Sequence, residues 1–126
     1  MDYIDSLFYT KDHIWIKPYQ EDQYLLGITN FAQDLLGDIV YVDLVVGNKF
    51  KIDSPMGSIE SVKTASDIIA PANGQIIQIN SDIISSPEMI NENPHEVWLC
   101  QISLNNDIDK NYYLTKEEYI SLIPSD

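Results

Sequence analysis

Met56-Gly-Ser-Ile-Glu60-Ser-Val-Lys63-Thr-Ala65-Ser-Asp67-Ile-Ile-Ala70 is the stretch on which the reading of this chain turns. Met56 to Val62 and Ala65 to Ala70 both read as extended, so Lys63-Thr64 falls at the tip of a tight hairpin. A lysine at such a tip projects its ammonium into water. Bracketed by Glu60 and Asp67, it keeps its charge and is a poor nucleophile, because Schiff-base or general-base work requires desolvation. It is better suited to being modified by another enzyme. Spacing alone does not separate that role from an ordinary turn lysine.

Outward from the hairpin, short segments rich in β-branched and aromatic residues alternate with turn residues, the pattern of an all-β sandwich or barrel. Strands are predicted at Ile14 to Lys17, Tyr24 to Ile28, Ile39 to Leu44, Met56 to Val62, Ile68 to Ala70, Gly74 to Ile79 and Val97 to Leu104. Pro18-Tyr-Gln-Glu-Asp22, Gly47-Asn48, Ser54-Pro55 and Pro71-Ala-Asn-Gly74 supply the turns. A short helix through Leu36 is capped by Thr29 or Asn30 and closed by Gly37 as a left-handed C-cap. Thr115-Lys-Glu-Glu118 is a capping box, with Leu114 and Tyr119 spaced as a hydrophobic staple, and Pro124 ends the C-terminal helix that follows. Gly37-Asp-Ile-Val-Tyr-Val42 is echoed by Gly74-Gln-Ile-Ile-Gln-Ile79, which suits a small fold of two similar halves. No linker divides the chain, and residues 1–126 read as a single domain.

Composition narrows the function. Seven lysines, no arginine and twenty acids on 126 residues leave a net charge of −13. Nucleic-acid binders cluster lysine and arginine against phosphate, and anionic membranes repel acidic chains, so neither is an expected partner. An apolar content of 44% is too high for disorder. The opening Met1-Asp-Tyr-Ile-Asp5 has neither the basic start of a signal peptide nor the arginines of a transit peptide, and a cytoplasmic location is expected.

Common enzyme templates are missing: there is no Walker loop, Gly-x-Gly-x-x-Gly, His-Glu-x-x-His or Gly-x-Ser-x-Gly. His13 and His95 are read as surface or structural residues, with a zinc pair involving Asp12 or Glu96 as the sharper alternative. Cys100, the single cysteine, reads as a small buried residue of a strand and not as a nucleophile.

Glu60-Ser-Val-Lys63-Thr-Ala-Ser-Asp67 resembles the lipoylation segment of the H protein of the glycine cleavage system. Gly27-Ile-Thr-Asn-Phe-Ala-Gln33 and Leu36-Gly-Asp-Ile-Val-Tyr-Val-Asp-Leu44 are similar to two further stretches of that family. So are Phe8-Tyr9 with His13 and Trp15, Pro71 and Gly74 with Asn80, Pro87 with Ile90-Asn91, and Trp98. These matches run in family order over nearly the whole chain. Biotin carriers, of similar fold, set their lysine in Met-Lys-Met, unlike Val62-Lys63-Thr64.

The resemblance implies a mainly β, flattened barrel-like sandwich of the lipoyl-domain kind, with a short helix in the N-terminal half and a C-terminal helix. It implies a monomer, lipoate joined by an amide to Lys63, and Glu60 and Asp67 in ligase recognition or contacts with the arm. The function it implies is that of a carrier and not an enzyme. The lipoyl arm takes the aminomethyl group from glycine decarboxylase to aminomethyltransferase and is reoxidised by dihydrolipoamide dehydrogenase; lipoate ligase or a lipoyl or octanoyl transferase loads it. Tethering replaces diffusion between active sites. Ile14 departs from the glutamate usual between the family's His and Trp, which leaves Asp12 and Asp67 as candidate carboxylates for the cleft that shelters a cationic arm. Leu44-Val-Val-Gly47 and Pro94-His-Glu-Val-Trp98 are shortened relative to the family. These departures leave open an alternative, a lipoate carrier that passes lipoyl groups to other enzymes or serves a redox pathway without turning over glycine.

Overall fold

The computed structural model describes residues 3, 4, 6–105, 108 and 110–124. Among these, strands form two antiparallel sheets. The larger has the order β1 (Phe8–Tyr9), β2 (Ile14–Gln20), β3 (Gln23–Ile28), β9 (Cys100–Leu104), β8 (Gly74–Ile79), β5 (Lys49–Phe50). The smaller has the order β4 (Ile39–Asp43), β6 (Pro55–Ser61), β7 (Ala65–Ile69). The two echoing segments become β4 and β8, one in each sheet. Ile16, Leu26, Ile59, Ile68, Ile76 and Ile102 from both sheets are buried in one cluster, the expected core of a sandwich.

One predicted turn and one predicted cap conformation are corrected. Pro18 lies inside β2, opposite Tyr24, and the chain reverses after Gln20 instead. Proline is tolerated there because β1 reaches only Trp15 and Ile16, so the outer flank of Pro18 has no neighbour that needs an N–H. Gly37 closes α1 (Asn30–Leu36) through its N–H on the Gln33 carbonyl, but at φ 83° and ψ −159° it is not in the left-handed helical region. Thr29 is the N-cap of α1, its Oγ1 accepting from the Ala32 N–H at 3.2 Å.

The capping box of α4 (Lys116–Leu122) is present as read, with Thr115 Oγ1 accepting from the Glu118 N–H and the Glu118 carboxylate accepting from the Thr115 N–H. Tyr119 and Leu114 pack with Leu7, Tyr9 and Trp15 in a second cluster. Trp15 needs Gly27 opposite it: a Cβ there would come within 2.3 Å of the indole. Helices α2 (Ser81–Ser85) and α3 (Glu88–Glu92) were not predicted; each is five residues, too short to show a helical period.

Candidate functional site

Lys63 sits where the chain turns between β6 and β7. The tip is three residues, Val62 to Thr64, one more than the two-residue turn read from the sequence. Ser61 organises it: its N–H donates to the Thr64 carbonyl at 2.8 Å, and its Oγ accepts from the N–H groups of Lys63 and Thr64 at 3.3 and 3.1 Å. The Val62 N–H donates to the Asp38 carbonyl at 3.0 Å, which anchors the tip to the end of α1. Lys63 is exposed. Its stem lies over Gly37, so that a Cβ at Gly37 would stand 3.4 Å from Lys63 Cε. The hairpin backbone is held at several points while the amine is open to solvent.

Asp12 and Asp67 come together on a groove of about 120 Å³ that runs beside β7. Ile14, Ile28, Leu36 and Ile68 line it as well, so the groove is apolar with carboxylates among its lining residues. Ile14 is 3% exposed and belongs to the core, which places an aliphatic wall where the family pattern has an acid. Glu60 is exposed on β6 between Tyr41 and Ala65 and is not among the groove residues.

The structure adds a polar chain that the sequence did not reveal. His13, at φ 67°, lines the same groove, and its Nδ1 lies 2.8 Å from the Tyr119 hydroxyl, which is 2.7 Å from Thr29 Oγ1. Burial lowers the His13 pKa, and Asp12 opposes this. The same burial raises that of Tyr119. The three residues are far apart in sequence, so only tertiary folding joins them. His95 is buried and its Nε2 accepts from the Asn30 N–H at 2.9 Å, which fixes the start of α1. Both histidine rings thus take part in the hydrogen bonding that joins distant segments of the fold. Cys100 is fully buried in β9, and burial pushes its thiol up to about 12, which removes the thiolate a nucleophile needs.

Comparison with known proteins agrees with this geometry. The family model described as glycine cleavage H-protein matches residues 7–125. The glycine cleavage system H protein of Oceanobacillus iheyensis is 46% identical over 121 residues, covering 94% of each chain. That of Coprothermobacter proteolyticus is 39% identical over 125 residues, covering 98% of each. The crystal structure of a glycine cleavage system H protein from Mycobacterium marinum superposes with a TM-score of 0.82 at 34% identity, covering 94% of this chain and 97% of the other. With a mainly β sandwich, an exposed lysine on a pinned hairpin and matches over nearly its full length, the chain belongs to the glycine cleavage H-protein family.

Proposed function

We propose that the chain is the lipoyl carrier of a glycine cleavage system, with lipoate in amide linkage to Lys63 Nζ, and that it catalyses no step itself. The observation that carries this reading is the placement of Lys63: a solvent-exposed primary amine on a hairpin whose backbone is tied to Ser61 and Asp38. The residues present fit the group. The tip leaves Nζ accessible to a loading enzyme, and the adjacent apolar groove offers the acyl chain a place to lie. Bound there, the lipoyl group supplies a redox-active disulfide on a flexible arm.

Everything else is done by the protein's own residues. Ser61 and Asp38 hold the base of the arm still, which sets the volume its end can sweep and so its effective concentration at a docked enzyme. Asp12 and Asp67 place negative charge on the groove, where an ammonium on the arm is stabilised. Glu60, outside the groove, faces solvent beside the tip and suits recognition by the loading ligase or transferase. Glycine decarboxylase, aminomethyltransferase and dihydrolipoamide dehydrogenase are the proposed partners in turnover. Amide formation removes one of seven lysine charges, so six against twenty acids takes the net charge from −13 to −14.

Intact mass after treatment with lipoate ligase, ATP and lipoate tests this directly. Wild type gains one lipoyl unit and Lys63→Arg gains none; a wild type that stays unmodified refutes the proposal.

A further inference from the structure

We infer that the exposed apolar face built by β4, the loop after it and α2 docks the enzyme that receives the Lys63 arm, through an apolar surface ringed by lysine and arginine. The inference rests on the carrier reading above and adds where on the chain that enzyme sits.

Val40, Tyr41 and Ile84 are 49%, 53% and 68% exposed, and they surround a groove of about 120 Å³ that is also lined by Val42, Ile79 and Ile83. Val45 and Val46, at 62% and 57%, continue the apolar run beyond β4. Scattered exposed aliphatics need no explanation, but a cluster around a groove marks a contact surface. The β4–β6 register shifts between Ile39 and Tyr41, and this irregularity lets the successive residues Val40 and Tyr41 both reach solvent. Asn91 Oδ1 accepts from the Ile39 N–H at 2.9 Å and covers the outer edge of β4 at its start. Strand addition is thereby blocked at that end of β4, and the exposed side chains supply the contact surface.

Charge decides the occupant. Asp38, Asp43, Glu60, Asp82 and Glu88 are exposed on or beside the elements of this face. Residues 37–47 and 79–91 contain no lysine. A second copy would bring these acids against their own equivalents, whereas a cation-rimmed enzyme surface is steered onto them.

Position supplies the link to function. Tyr41 is opposite Glu60, and Lys63 follows three residues on, about 10 Å at strand spacing. The Asp38 carbonyl that precedes β4 holds the Val62 N–H of the tip. An enzyme seated on this face has the arm at its edge.

The test uses lipoylated protein and glycine decarboxylase, reading exchange of labelled bicarbonate into the glycine carboxyl. The double variant Tyr41→Ser/Ile84→Asn should raise KM for the carrier at least tenfold with kcat within twofold, while its mass gain on lipoylation and its thermal midpoint match wild type. Tyr19→Ser, equally exposed on β2, should leave KM unchanged, and added salt should raise KM of wild type. A double-variant KM within twofold of wild type overturns the inference, as does an equal rise for Tyr19→Ser. A concentration-dependent wild-type dimer in sedimentation, lost in the double variant, also overturns it by making a second copy the occupant. A wild type that supports no exchange is a separate result, removing the carrier reading and this inference together.

Discussion

Gly37→Ala is the perturbation that best separates backbone strain from side-chain crowding at the lysine. At φ 83° and ψ −159°, Gly37 occupies a region that residues with a Cβ enter only with strain. The cost of that strain is about 1–3 kcal/mol. Crowding adds little, since the new Cβ would stand 3.4 Å from Lys63 Cε, an ordinary contact with a flexible chain. Against this, alanine lowers the entropy of the unfolded chain and returns about 0.4–1 kcal/mol. The net loss is about 1–2 kcal/mol, or a fall in Tm of about 4–8 °C for a domain of this size.

The strain has a local signature as well. Relief by rotation at residue 37 would swing the Asp38 carbonyl away from the Val62 N–H, so hydrogen exchange at the Val62 amide should quicken severalfold. Gly47→Ala is the control: Gly47 has φ 91° and nothing within 4 Å of its would-be Cβ, so strain there should lower Tm without touching Val62 exchange. A Gly37→Ala protein with Tm within 1 °C of wild type, or with unchanged Val62 exchange, refutes the account of how the tip is anchored.

Three further outcomes follow from the same geometry. Tyr119→Phe removes the hydroxyl that joins His13 Nδ1 and Thr29 Oγ1, and urea unfolding should show a loss of about 2 kcal/mol with the m-value unchanged. The His13 pKa is lowered in the folded state from 6.5; the unfolded chain then binds more protons below that pH, so stability falls as pH drops from about 6.5, and His13→Asn should flatten this part of the stability–pH curve. Cys100, with its thiol pushed up to about 12, should resist iodoacetamide at pH 8 in native protein and react fully in urea; rapid native alkylation would show that the strand core opens more freely than its burial implies.

Much of this molecule was legible in its sequence because the signals are local. Short segments rich in β-branched and aromatic residues between turn residues marked β3 and β8, and Thr115 with Glu118 announced α4 before any tertiary contact was known. The site lysine was legible for a different reason: Glu60 to Asp67 carries a family pattern, whereas hairpin geometry alone left Lys63 an ordinary turn residue. What escaped was either short or non-local. β1 and β5 are two residues each and exist only through their partners. Pro18 looked like a turn because its tolerance depends on how far a neighbouring strand extends. The His13–Tyr119–Thr29 chain joins residues up to 106 positions apart, a relation no sequence window contains. Asp12 and Asp67 were linked through the family's cleft, and the groove shows how they meet: the Asp12–Ile14 segment faces β7 across it.

The central claim is that Lys63 carries the arm on which glycine carbon is handled. The most direct measurement is glycine decarboxylase-dependent exchange of labelled bicarbonate into the glycine carboxyl, with lipoylated wild type and ligase-treated Lys63→Arg compared at equal concentration. The account predicts label uptake that rises and saturates with wild-type protein and stays at the enzyme-alone background with Lys63→Arg. Uptake at background with fully lipoylated wild type, or equal uptake with Lys63→Arg, would contradict it.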